Sequence, residues 1–294
     1  MTEEKASVIS MEQLLLLHSE IKAYGIPFGY QQGNCHNIAH FVCLFLANKG
    51  IIAAKIWAIT PGIYSLYNSS LITFKDKKKL SPTGTIDWGY HVAPLMIVKE
   101  KGKSKKMVLD PILFPWGPVH YRTWLAKIKT KGIVHLIMDS EWYLFNSTLV
   151  PNSQNQYLYN VEVDNYKPNV TFPSWFSDKL ISDFFKYEED SKNNHWLERG
   201  LAINETAICF YNNEFKPLLT TKKHLDLIKD YRILVGNINN FESVFRDNIW
   251  NDEMNQNFNK KHENVIFKYR EIYETNLIKW QKDVRTLLEV KNIK

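Results

Sequence analysis

Two kinds of hydrophobic pattern alternate along the chain. Met11, Leu14, Leu15, Leu17 and Ile21 recur at helical spacing, which predicts a helix over 11–23. AYGIPFGY then ends it with glycine and proline. GNC (33–35) opens a second helix, with Ile38, Phe41, Val42, Phe45 and Leu46 on its apolar side, and ANKG closes that helix with a glycine cap. IIAAKIWAI (51–59) is short and β-branched, as a strand is. Residues 61–86 form a polar excursion, expected as a surface loop or hairpin. DWGYHVAPLMIVKE (87–100) and KKMVLDPILF (105–114) flank a Gly-Lys turn and predict an antiparallel pair. TWLAKIKT reads as a short helix, and VHLIMDS and QYLYNVEV as further strands. The first 165 residues therefore predict an α+β arrangement.

The texture changes after KPNVTFPSW. Helices are predicted over 174–190 and 222–249. The clearest helix lies at 261–290, where Ile266, Tyr269, Tyr273, Leu277, Trp280, Val284 and Leu287 recur at threes and fours with charges between. AICFYNN, around Cys209, reads as a buried strand. The expected organisation is a domain over 1–165 and a mostly helical one over 166–294.

Composition narrows the class. With 294 residues and 45% hydrophobic content the chain can bury one large core or two modest ones. The net charge of +6 is mild, and the basic runs KDKKK (75–79) and KGKSKK (101–106) are short. Neither interleaves stacking aromatics, so both read as solvated loop tips and no nucleic-acid partner is expected. LLLL (14–17) is too short to span a bilayer and no other segment is long enough, so no integral membrane segment is expected. The start, MTEEKASVISMEQLLLLHSE, lacks the basic region and cleavage site of a Sec signal. The protein is expected in the cytoplasm, or delivered into a host cell by a specialised system. Three cysteines (Cys35, Cys43, Cys209) argue against a disulfide framework.

The candidate chemistry centres on Cys35, at a helix start where the dipole and free N–H groups favour a thiolate. Nucleophilic catalysis by cysteine also needs a base and a group that orients it. His91 lies in the first strand of the predicted pair and Asp110 near the end of the second. Residues opposite each other across that turn should sum to about 201 or 202, and His91 and Asp110 sum to 201. This predicts a carboxylate beside the imidazole, on Nδ1. Spacing alone leaves the bland readings open, because strand histidines are commonly structural and Asp-Pro commonly marks a turn. His36, His40 and Cys43 share a helix face, but no partner pair follows at metal-ligand spacing, so no metal or other cofactor is expected. Cys43 reads as core, His40 as a buried histidine bonded to backbone, and Asn34 as a helix cap.

CHNIAH (35–40), WGYHVAP (88–94), VLDPILF (108–114), WGPVHYRTW (116–124) and SQNQYLYN (153–160) together, in this order, resemble the bacterial protein-glutaminase family, the protein-glutamine deamidases. The resemblance covers roughly residues 30–162. It implies a papain- or transglutaminase-like core, with an antiparallel sheet packed on the helix that bears the nucleophile. It carries catalytic roles onto Cys35, His91 and Asp110, and places Trp88 and Tyr90 beside the base as candidate walls of a substrate channel. The expected partner is a protein bearing an accessible glutamine, such as a host protein. The implied route runs through a γ-glutamyl thioester to glutamate and ammonia, with the Cys35 N–H as first oxyanion donor. The signal, pro-region and several disulfides of secreted family members have no visible counterpart here. Residues 166–294 resemble nothing in the family and read as a substrate-binding, partner-binding or targeting region. The same triad serves a cysteine protease or a transglutaminase, and a catalytically silent partner-binding protein on this fold is the alternative of another class.

Overall fold

The computed structural model describes residues 6–64, 69–128, 130–145, 184–187, 195–221, 224–246 and 258–291. The described residues form an α+β chain that divides into two compact, interleaved units. One comprises Met1–Tyr24, Ala39–Thr73 and Asp87–His195, the other Gly25–Ile38, Phe74–Ile86 and Trp196–Lys294. The division expected near residue 165 and the strand expected at QYLYNVEV both fall outside the described residues.

The first unit is built on a six-stranded sheet. Its strands are β1 (Val8–Ile9), β2 (Ala54–Ile59), β5 (Tyr90–Glu100), β6 (Lys103–Val108), β7 (Val119–His120) and β8 (Val134–Asp139). The order is β7-β6-β5-β2-β8, antiparallel throughout, and β1 adds to β5 in parallel. β2 is buried at every position and β5 from His91 to Met96, which explains their continuous apolar runs. β3 (Ile72–Lys75) and β4 (Thr85–Trp88) pair separately, within the stretch expected as a loop or hairpin, which also holds the short helix α3 (Pro61–Tyr64).

Helix α1 (Met11–Ala23) starts at Ser10, whose hydroxyl accepts from the Gln13 N–H at 3.0 Å. It buries Leu14, Leu17, His18 and Ile21, while Leu15 is exposed. Helix α2 (Cys35–Asn48) ends in a Schellman turn. Gly50 sits at φ +75°, its N–H reaches the Ala47 carbonyl, and the Ile51 N–H reaches the Leu46 carbonyl. Helix α4 (Tyr121–Ile128) buries Trp124 and Ile128. β9 (Trp142–Phe145) pairs with β10 (Phe184–Lys186), so residues 184–186 are a strand and not the helix predicted across 174–190.

A charged residue lies inside this unit. Lys55, the second residue of β2, is fully buried. Its ammonium donates to the Trp142 carbonyl at 2.7 Å and lies 2.7 Å from His40 Nδ1. The partner of His40 that emerges is thus a lysine on the neighbouring sheet, where a backbone group was expected. Burial lowers the Lys55 pKa from 10.5 to about 8 and raises the Cys43 thiol from 9.0 to about 11. Between pH 8 and 9 the unfolded chain holds more protons on this lysine than the folded one, so raising the pH favours the fold. Above pH 9 the buried thiol acts in the opposite sense. Relative to Lys55→Met, which keeps the same thiol, the wild-type protein should gain about 1 kcal/mol from pH 8 to 9 and continue to gain toward pH 10.5, where the unfolded lysine loses its proton. Urea titrations of both proteins across that range check this, and a constant difference would count against it.

The second unit is mainly helical: α5 (Trp196–Phe210), a π-helical turn (Tyr211–Phe215), α6 (Lys216–Thr221), α7 (Leu225–Val235), α8 (Ile238–Phe245) and α9 (Glu263–Lys291). Phe210 packs its ring against Tyr231, Phe241, Phe245 and Tyr269. α9 buries the predicted stripe except Leu277, which is half-buried. Cys209 lies in α5 and not in a strand, half-buried, with its Sγ accepting from Asn213 Nδ2 at 3.2 Å. Among the described residues no helix is long and apolar enough to cross a membrane.

Candidate active site

His91 and Asp110 meet in the first unit, by a route other than the predicted register. The β5–β6 turn is two residues long, Lys101 (φ +48°) and Gly102 (φ +77°), and both need left-handed backbone. This turn makes opposite residues sum to 203, as in Leu95↔Val108 and Glu100↔Lys103. The expectation of 201 or 202 is thereby corrected. The ladder closes with the Leu109 N–H on the Pro94 carbonyl at 2.9 Å, and Asp110 lies beyond it in a turn.

That turn is what aims the carboxylate. Asp110 Oδ1 accepts from the backbone N–H groups of Ile112 (3.1 Å) and Leu113 (3.3 Å), and the Phe114 N–H bonds the Asp110 carbonyl at 2.8 Å. The other oxygen, Oδ2, faces His91 Nε2 at 2.9 Å and accepts from Trp124 Nε1 at 2.7 Å. The turn reading of Asp-Pro and the orienting reading of Asp110 are therefore one arrangement, with one oxygen for each task. The carboxylate faces Nε2, not the Nδ1 expected. Neutral His91 thus carries its proton on Nε2 and presents Nδ1 as the basic nitrogen.

The dyad is dry. His91 is fully buried and Asp110 nearly so. Trp88 stacks on the imidazole with centroids 4.5 Å apart and planes at 22°, and Trp124 with centroids 5.6 Å apart and planes at 20°. Trp88 is buried and takes its place through this stacking. Tyr90 is half-buried, its ring 5.7 Å from that of Trp57 on β2. Trp124 had no assigned role in the sequence, yet it both braces the ring and donates to the carboxylate. Its place in WGPVHYRTW was the available signal.

Cys35 belongs to the second unit, as the first residue of α2, and is half-buried with a free thiol. Asn34 precedes it at φ +63°, and its backbone carbonyl accepts the N–H groups of Asn37 (3.1 Å) and Ile38 (3.3 Å). The cap is therefore the Asn34 main chain. Its side chain, expected as the cap, instead donates to Asn204 Oδ1 and Glu242 Oε1, each at 3.2 Å. Cys43 is buried core, as expected. Among the described residues no group of three or more His, Cys, Asp or Glu side chains could hold a metal ion.

Residues 11–128 match the glutaminase family. The match is shorter than half the chain, and Cys35, Trp88, Tyr90, His91, Asp110 and Trp124 all fall inside it. The NMR structure of protein-glutaminase from Chryseobacterium proteolyticum is 24% identical, with 54% of this chain and 84% of that one covered, at a TM-score of 0.39. A crystal structure of pro-protein-glutaminase is 23% identical, covering 55% of this chain and 57% of that one, also at 0.39. No curated protein matches.

Proposed function

We propose that the chain is a protein-glutamine deamidase on a papain- or transglutaminase-like core, with Cys35 as nucleophile, His91 as acid and base, and Asp110 as orienting group. The observation that carries this reading is the buried His91–Asp110 pair, fixed by Trp124 within the glutaminase match. The Cys35 thiolate attacks the side-chain amide carbon of a substrate glutamine, and a C–S bond forms as the carbonyl electrons move to oxygen. The Cys35 backbone N–H is the first donor to that oxyanion. Collapse breaks the C–N bond, and the proton on His91 Nδ1 goes to the departing ammonia. A γ-glutamyl thioester remains. His91 Nδ1 then takes a proton from water, the hydroxide adds, and the thiolate leaves, so glutamine and water give glutamate and ammonia. Asp110 holds Nε2–H throughout and stabilises the imidazolium. Trp88 and Tyr90 are proposed to line the glutamine channel. The substrate is a protein, in our reading one met in a host cell.

The test incubates the protein with glutamine-rich protein substrates and follows ammonia release, glutamine-to-glutamate conversion by mass spectrometry, peptide cleavage and lysine crosslinks. Ammonia matched to glutamate is the expected result. Cleavage or crosslinks without it would transfer the site to a protease or transglutaminase.

A further inference from the structure

The second unit holds the segment that leads into Cys35, and it does so at four successive points. Tyr30 is buried, and its hydroxyl donates to the Val235 carbonyl at the end of α7 at 3.0 Å. Gly33 lies against α8, where an added Cβ would stand 2.7 Å from Ile238 Cγ2. Asn34 donates its amide to Asn204 on α5 and Glu242 on α8. Asn37, in the first turn of α2, packs so closely on α5 that a Cβ at Gly200 would come within 1.7 Å of its Nδ2. None of α5, α7 or α8 lies in the segment that matches the glutaminase family.

The consequence falls on one residue. A left-handed backbone is costly for any side chain but glycine, and asparagine tolerates it best when its amide is bonded. Asn34 is in that conformation, and its carbonyl caps the first turn of α2. Asn204 is fully buried, and Glu242 is itself fixed by Arg246 at 3.2 Å. The two acceptors therefore keep the amide, and with it the peptide unit that enters Cys35, in one orientation. We infer that Asn204 and Glu242, on helices outside the glutaminase match, are positioning residues for the nucleophile, acting through Asn34. This rests on the reading in which Cys35 is the nucleophile. The helical region then belongs to the catalytic apparatus, whatever else it binds.

The test uses the full chain. Glu242→Ala should lower kcat for glutamine deamidation about tenfold or more while KM changes little, because an interaction that aligns the attacking group is lost and a substrate contact is not. Glu242→Gln keeps an acceptor oxygen and should restore most of the rate. Iodoacetamide labelling should slow at Cys35 alone in Glu242→Ala and Asn204→Ala, with Cys209 as internal reference. Asn34→Gly is the control for folding: glycine accepts the positive φ, so the protein should fold, and Cys35 labelling should still slow. If Cys35 labelling matches wild type in Asn34→Gly and in the folded acceptor variants, the inference is overturned. Failure of the parent reading looks different: the wild-type protein releases no ammonia, while Cys35 labelling still depends on Glu242 and Asn34.

Discussion

Asp110→Asn should both disable turnover and weaken the fold. The carboxylate accepts from four donors at once: the Ile112 and Leu113 N–H groups, Trp124 Nε1 and His91 Nε2. Asparagine offers one oxygen and one NH₂. With the oxygen at the Oδ1 position, the NH₂ confronts the indole N–H and the imidazole N–H. The ring could relieve its share by moving its proton to Nδ1, but that removes the base from the nitrogen that the proposed mechanism uses. With the oxygen at the Oδ2 position, the NH₂ faces two backbone N–H groups instead. Every arrangement leaves a buried donor without an acceptor, at a cost of about 2–4 kcal/mol in stability. Turnover should fall by about 10³–10⁴-fold, since the wrong tautomer dominates. Denaturant midpoints give the first quantity and ammonia release per folded molecule the second. A variant that turned over near the wild-type rate would remove Asp110 from the mechanism.

Elements whose burial is one-sided were readable locally. α1 and α9 each show an apolar stripe, with Ser10 marking where α1 begins, whereas α2 is buried continuously from Asn37 to Leu46 and was legible from the glycine cap at Gly50. α5 carries no such local signal because it is buried nearly all round. Leu197, Leu201, Ile203, Asn204, Thr206 and Phe210 lie on every side of it, so no stripe forms. The local pattern of β10 reads as helix because its partner, β9, lies far away in sequence. The pairing of His91 with Asp110 followed from the motifs around each, yet the register that first argued for it was displaced by a two-residue turn. Which ring nitrogen meets the carboxylate depends on the turn beyond β6, and alternation along a strand carries no signal for that. The role of residues 25–38 was equally out of reach. Their partners are Val235, Ile238 and Glu242, some two hundred positions later. A fragment ending at residue 165 would strip those partners from the segment that carries Cys35.

The largest change expected from one substitution is at Cys35 itself. Cys35→Ala should abolish ammonia release, a loss of about 10⁶-fold for the removal of a covalent nucleophile. It should leave the fold intact. Cys35 is half-buried in the first turn of α2, its thiol is not part of a disulfide, and alanine is the better helix former. The melting temperature should therefore be unchanged or slightly higher, which separates this variant from Asp110→Asn, where both quantities fall. The combination discriminates between function classes. For a deamidase, a protease or a transglutaminase on this triad, Cys35→Ala is a stable and inactive protein, and the acyl acceptor seen in the wild-type products tells the three apart. For a silent partner-binding protein, neither the wild type nor the variant turns anything over, and both retain the partner. Ammonia release that survived in Cys35→Ala would mean that the thiol does not form the thioester, and His91 and Asp110 would then serve a reaction on some other nucleophile.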